Sequence, residues 1–179
     1  MAMEHKAYVL DYDAFTAELV SVLNAALTSG DPAGLVAFIN EHRNALKDPY
    51  EGEPLDEGWE NMVSPADAHQ YGDIALTLYY DPSADIGLGY DWENMQSLLE
   101  REGLGQRSIA LGRSFGPSNN LFDPGKMGSY VQPADRVREN LAVLDDLVGR
   151  KPDLTMPLQR AMTMLRRAAD DNKGLYVTF

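Results

Sequence analysis

The chain has 179 residues, of which 44% are hydrophobic, and a formal net charge of −13. Its length lets one domain bury a core without a disulfide or a metal, so we predict a single domain over residues 1–179. It contains no cysteine, which excludes thiol catalysis and cysteine-ligated zinc and fits a reducing cytosol. We recognise no signal peptide and no apolar run of about 18 residues, and therefore expect a cytoplasmic protein without a membrane span.

The negative charge is concentrated in one segment, Asp48 to Glu100, which we call the acidic third. These 53 residues include 13 carboxylates and no lysine or arginine, whereas the rest of the chain has 15 acidic and 15 basic residues. Such an asymmetry predicts an acidic surface that attracts basic proteins. It also repels nucleic acids and anionic membranes, because both are polyanions.

The first fifty residues predict a strand followed by two helices. In residues 5–12, Tyr8, Leu10 and Tyr12 alternate with smaller or polar residues, which predicts a strand. Asp13 is the expected N-cap of a helix that Gly30 ends. Asp31 and Pro32 then repeat the start signal for a second helix, and the two helices are expected to form an antiparallel hairpin.

The acidic third predicts mostly helix and loop. A proline-containing loop over residues 47–55 precedes a short helix at residues 59–63. Ser64 and Pro65 give the next start signal, and helical spacing favours a helix as far as Tyr80, although residues 74–80 alone also fit a strand. After the loop that follows Tyr80, Asp91 is expected to cap a helix that Gly103 ends.

The last eighty residues predict a short strand, a long loop, two helices and a final strand. The strand is expected within residues 108–115 and the loop at residues 116–132. Helices begin at Pro133 and Thr155, and residues 175–179 form the last strand. The fold class is therefore mainly α (α+β), with about six helices and a small sheet. In that sheet the terminal strands pair, with residues 109–111 as a candidate third strand.

Two motifs suggest chemistry, and the residues around each argue against it. Ser114 lies in a Gly-x-Ser-x-Gly match, but no helix start follows, and the last histidine precedes the serine instead of following it. The segment from Asp81 resembles a calcium loop, but position six is Ile86 and position twelve is not glutamate. Asp81 and Asp85 are instead expected to cap neighbouring backbone. We predict no catalytic residue, no metal and no cofactor.

The acidic third also contains most of the tyrosines and both tryptophans. Such aromatic residues anchor protein interfaces, and the charges around them set association rates and partner choice. The residues predicted to bind a basic partner are Glu57, Glu60, Tyr80, Asp81, Asp85, Tyr90, Asp91 and Glu93. The alternative interpretation is that the aromatic residues belong to the core and the carboxylates only solvate one side of the protein.

Two runs of the chain, ALTLYYDPSADIGLGYDW and FDPGKMGSYVQ, carry a family resemblance. They resemble segments of small bacterial toxin-immunity proteins, within residues 73–132. The resemblance implies an acidic, cytosolic protein that neutralises a toxin or nuclease domain by binding it instead of catalysing a reaction. It transfers no binding site.

A second hypothesis is a small enzyme or ligand-binding domain whose site lies between the glycine-containing loops 81–90 and 116–131. It predicts a concave pocket lined by both loops and containing a few convergent polar groups. A structure in which the two loops lie apart would exclude it.

Overall fold

A four-stranded antiparallel sheet divides the molecule into two helical halves in the computed structural model, which describes residues 2–179. The strand order is β1-β4-β3-β2. The strands are β1 Lys6–Leu10, β2 Arg113–Ser114, β3 Ser129–Gln132 and β4 Gly174–Thr178. Ala7 pairs with Val177, and Tyr176 of the same central strand pairs with Val131 on its other side.

Eight α-helices account for most of the remaining regular structure within residues 2–179, and 52% of the residues are helical. The helices are α1 Tyr12–Glu18, α2 Val20–Ser29, α3 Ala33–His42, α4 Trp59–Met62, α5 Ala68–Leu76, α6 Trp92–Arg101, α7 Ala134–Arg150 and α8 Thr155–Asp170. The prediction of a mainly helical α+β fold is therefore confirmed. None of the helices in this part of the chain is both long and apolar enough to cross a membrane.

Each face of the sheet packs against a separate apolar core, because successive side chains of a strand point to opposite faces. Tyr8 and Tyr176 belong to the core that is formed with α1–α5. Ala7, Leu175 and Val177 belong to the core that is formed with α6–α8. The acidic third contributes to both cores: α4 and α5 pack on the first face, whereas α6 packs on the second.

The predicted pairing of the terminal strands is confirmed, but the proposed third strand at residues 109–111 is wrong. Ile109 and Ala110 are buried in the second core without belonging to a strand. The strand next to β4 is instead β3, in the segment predicted as a long loop, and β2 extends the sheet beyond it. β3 has only four residues, so its pairing with β4 determines its conformation more than its own sequence does.

Several helix boundaries differ from the prediction because another side chain or backbone group provides the cap. Asp11, not Asp13, caps α1 by accepting a hydrogen bond from the Ala14 amide. The helix predicted as far as Gly30 is interrupted at Leu19. Asp67, not Ser64, caps α5, and that helix ends at Leu76 instead of continuing to Tyr80. Gly30 ends α2 with φ 76°, as expected.

The segment from Asp85 to Gly89 lies along the outer edge of β1. The Ile86 amide donates to the Ala7 carbonyl, and His5 and Gly89 exchange two backbone hydrogen bonds. The buried His5 ring joins the same segment, since its Nδ1 accepts from the Leu88 amide at 3.1 Å. Its Nε2 lies 2.7 Å from the Ala110 carbonyl oxygen. Burial lowers the pKa of His5, which favours this neutral, doubly bonded ring.

Candidate functional site

The carboxylates of the acidic third are largely free of ion pairs. Of the eight ion pairs found within residues 2–179, only Arg43–Glu57 and Lys47–Asp81 involve the acidic third. No basic residue beyond Arg101 in this range forms an ion pair with it. The ion pairs of α7 and α8 lie within their own half, as in Arg166–Asp145. Arg160 of α8 does reach the acidic third, where it donates a hydrogen bond to the Gly87 carbonyl. The negative charge therefore stays largely uncompensated by direct partners.

Seven of the eight predicted partner-binding residues are exposed, and Tyr80 is not. The exposed ones are Glu57, Glu60, Asp81, Asp85, Tyr90, Asp91 and Glu93. Tyr80 is only 8% exposed, and its ring packs against Tyr8 and Tyr176 in the first core. The expectation that Tyr80 is an exposed anchor does not hold, because the chain turns after α5 and directs this ring onto the sheet.

The exposed members of that set do not form a single cluster along one layer of the fold. Glu57 precedes α4 and Glu60 lies on it, and this helix packs on the first face of the sheet, whereas Glu93 lies on α6 on the second face. The expected capping roles of two members are found. Asp81 accepts from the Ser83 amide at 3.0 Å, and Asp85 accepts from the Gly87 amide at 2.8 Å.

One concavity lies wholly within the acidic third, and we call it the acidic groove. It has a volume of about 420 Å³ and lies between the loop at residues 48–56, α4 and α5. Trp59 and Ile74, both buried, contribute apolar surface together with Leu55. Its carboxylates are Asp48, Glu51, Glu53 and Asp56, and no lysine or arginine lines it. Tyr50 and Met62, each 71% exposed, border it.

None of the residues predicted to bind a partner lines the acidic groove, although Glu57 and Glu60 are adjacent to it in sequence. The sequence signal was the loop at residues 47–55, which combines carboxylates, prolines and a tyrosine. Its backbone is ordered by its own side chains, since Asp48 accepts from the amides of Tyr50 and Glu51. The sequence alone does not indicate that this loop folds over Trp59.

A second, smaller pocket lies where the two glycine-containing loops meet. It has a volume of about 190 Å³. Pro82 and Asp85 of the first loop and Pro124 and Gly125 of the second contribute to its wall. Asp73 also lines this pocket, which we call the Asp73 pocket, together with Tyr8 and Tyr80. The two loops therefore meet at a pocket with polar groups, as the second hypothesis requires.

Asp73 is unusual because it is a carboxyl group buried on a central helix. The residue is only 6% exposed. Burial is the main cause that raises its pKa from an ordinary 3.8 to about 7, and the negative charge of Asp48 adds to the effect. Within residues 2–179, no hydrogen bond to the carboxyl counteracts this increase. A histidine–aspartate pair of His69 and Asp73 is not formed, since His69 contacts Asn120 and the Asp123 amide instead.

Three tyrosine rings pack together beside Asp73. Tyr80 lies 4.8 Å from Tyr8 and 5.0 Å from Tyr176, measured between ring centroids. Burial raises the pKa of Tyr8 to about 12, with Asp85 and Asp73 contributing, and it raises the pKa of Tyr80 well above 10. The rings therefore remain neutral at physiological pH and present uncharged aromatic surface near the carboxyl.

The motif at Ser114 forms no catalytic arrangement. Ser114 is exposed on the two-residue strand β2, and a turn follows it instead of a helix. Within residues 2–179, no three or more histidine, aspartate or glutamate side chains are arranged to bind a metal.

No family model, no curated protein and no solved structure matches this chain.

Proposed function

We propose that this protein binds and neutralises a basic protein partner in the cytosol, such as a bacterial toxin or nuclease domain, through the acidic groove. The observation that carries the proposal is the lining of that groove. Four carboxylates surround apolar surface from Trp59, Ile74 and Leu55, and no basic residue contributes to it. This combination suits a basic segment better than a polyanion or a purely apolar ligand.

The volume and chemistry of the groove define the segment that we expect it to bind. About 420 Å³ is within the range of small-ligand pockets and accommodates one or two side chains. An apolar side chain would cover Trp59, and lysines or arginines on either side would reach Glu51 and Glu53 at the edge. Tyr50 and Met62 would then lose solvent exposure, which adds apolar area to the contact.

The uncompensated charge supports a role for the acidic third in accelerating association with a basic partner. Among residues 2–179, only two of the 13 carboxylates of the acidic third form ion pairs with basic residues of the same chain. A field of this kind accelerates the encounter with a basic protein, and salt weakens it because exposed charges are screened beyond about 8–10 Å at physiological ionic strength. Covering a basic active-site cleft in this way would exclude an anionic substrate.

The test uses a synthetic peptide in which one leucine is flanked on both sides by lysines. We expect saturable binding, measured by the change in tryptophan fluorescence, with an affinity that falls as salt rises. The double variant Glu51→Gln with Glu53→Gln should bind the peptide about tenfold more weakly, since two exposed ion pairs contribute about 0.2–1 kcal/mol each and the field weakens as well.

The matched control is the double variant Glu93→Gln with Glu100→Gln, which removes the same charge from the acidic third outside the groove. It should reduce the affinity much less. An equal loss in both variants would mean that net charge alone attracts the peptide. A peptide with glycine in place of leucine should bind more weakly, and unchanged affinity would contradict a role for the apolar surface.

A second candidate function is favoured by the Asp73 pocket. This pocket joins the two loops, contains a buried carboxyl and is distinct from the acidic groove, although Pro49 and Tyr50 border both. It would make the protein a small-molecule-binding domain, with or without the partner-binding role.

A further inference from the structure

The Asp73 carboxyl is a buried acceptor without a donor. It lies on α5 among residues that are all buried from Tyr71 to Leu76, and its residue is only 6% exposed. No hydrogen bond to it is formed within residues 2–179, and the negative charge of Asp48 acts on it unfavourably. Buried polar groups are nearly always paired, and an unpaired buried carboxylate is strongly unfavourable. The Asp73 oxygens border a pocket, so a donor for this carboxyl has to come from solution.

The carboxyl faces a cavity and is not enclosed by protein on all sides. Asp73 contributes to the wall of the 190 Å³ pocket that opens between the two loops. A partner from solution therefore has a route to it, and the volume accommodates a short chain of a few heavy atoms. A donor for the Asp73 carboxyl can therefore enter through this cavity.

The walls of the pocket favour an organic cation over a metal ion. Tyr8 and Tyr80 contribute aromatic surface, and aromatic rings attract ammonium and guanidinium groups through their quadrupoles. Calcium and magnesium require six or more oxygen ligands, whereas this pocket has the carboxyls of Asp73 and Asp85. Asp85 already accepts the amides of Ala7 and Gly87 with one oxygen.

The protein's own lysine at this pocket does not occupy the site. Lys6 is the one basic residue in the lining, and its Nζ lies 3.9 Å from the Oε2 atom of Glu4. It does not contribute to the pKa of Asp73. The cavity beside the carboxyl is therefore open to an external cation.

We propose that the Asp73 pocket binds an organic cation, with an ammonium or guanidinium group placed against the Asp73 carboxylate and beside the rings of Tyr8 and Tyr80. The cation is either a free small amine or guanidine, or a lysine or arginine side chain of a bound protein. This site is separate from the acidic groove, and the proposal does not depend on the proposed function of that groove.

The experiment is calorimetric titration of the full chain with propylammonium and propylguanidinium at about pH 8, where the Asp73 carboxyl is ionised. We expect saturable binding of at least one of them and none of propanol, which has the same chain without the charge. Asp73→Asn should weaken binding at least about tenfold, because the variant removes the charge that the cation contacts. Asp81→Asn is the matched control and should leave the affinity within about twofold, since exposed charges contribute little.

The pH dependence of cation binding tests the proposal with the wild-type protein alone. Only the ionised carboxylate binds a cation, so the affinity should be about tenfold lower at pH 6 than at pH 8. Saturating propylammonium should also lower the pKa of Asp73 measured by carboxyl NMR. The other titratable groups that face this carboxyl or line the pocket are Lys6, Tyr8, Asp48, Tyr50, Tyr80, Asp85 and Tyr176.

Three outcomes would overturn the proposal: equal binding of propanol, binding that Asp73→Asn leaves unchanged, or an Asp73 pKa that the amine does not move. Competition by N-acetyl-lysine amide distinguishes the source of the cation. Displacement of propylammonium by this compound assigns the site to a protein side chain, and no displacement assigns it to a free amine. The Glu51→Gln, Glu53→Gln variant should still bind the amine, which separates this site from the acidic groove.

Discussion

Replacing Asp73 by asparagine should stabilise the protein at neutral and alkaline pH. The carboxyl is buried without a donor, and its pKa rises from 3.8 to about 7 on folding. Between these values the native state binds a proton that the unfolded state releases. The free energy of unfolding therefore decreases as the pH rises from about 4 to about 7, and the full penalty applies above that range. Asparagine has a similar shape and stays neutral throughout.

The magnitude follows from the size of the pKa change. A difference of about three pH units at about 1.4 kcal/mol per unit gives about 4 kcal/mol for the wild-type penalty at pH 8. This value is an upper bound, since water entering the pocket or a small local rearrangement reduces it. Below about pH 4 the carboxyl is protonated in both states, so the variant and the wild type should differ little there.

Urea denaturation of both proteins at about pH 5 and about pH 8 measures the effect. The asparagine variant should gain stability relative to the wild type as the pH rises. The control is Asp81→Asn, which removes a carboxyl whose pKa is lowered to about 2 by hydrogen bonds from Ser83 and Lys47. That variant should show no such gain. If the free energies of unfolding of wild type and Asp73→Asn differ by the same amount at both pH values, the reasoning is refuted.

Two further predictions concern the edge of the sheet. Because burial lowers the pKa of His5, the contribution of this side chain to stability should be complete above about pH 6.5 and should be lost as the pH drops below it, opposite in sign to the contribution of Asp73. The difference in the free energy of unfolding between wild type and a His5→Gln variant, measured by urea denaturation, should therefore shrink as the pH falls. Gly87→Ala should destabilise the protein by about 1–3 kcal/mol, since the added carbon would lie 2.3 Å from the His5 carbonyl oxygen. Gly149→Ala on α7 is the control, because a carbon added at this position has no neighbour within 4 Å. This variant should stabilise the protein by about 0.5–1 kcal/mol. Equal thermal shifts in the two variants would contradict the steric argument.

The sequence predicted the elements whose local signals agree with their tertiary context. The terminal strands alternate between the two cores, and the helices after Pro133 and Thr155 carry clear apolar stripes. β3 was missed because four residues between glycines and a proline carry almost no periodic signal. Its existence depends on Tyr176 and its neighbours, about fifty residues later in the chain.

The candidate sites were less predictable than the fold because they depend on residues that are remote in sequence. Net charge identified the acidic third, but not that its loop at residues 48–56 folds over Trp59. In the sequence, Asp73 looks like any polar position of an amphipathic helix. Only the packing of α5 against β1 and β4 places it beside Tyr8 and Tyr176, from opposite ends of the chain.

The position of β4 in the middle of the sheet has a consequence for how the protein is made. Residues 174–178 lie between β1 and β3 and pack on both cores. Until they are synthesised, the nascent chain has no strand to join residues 6–10 to residues 129–132, and neither apolar face of the sheet can close. Contacts between such distant segments also slow folding, because the entropy of closing a long loop must be lost first. The chain is therefore expected to become protease-resistant only after residues 174–178 have been synthesised.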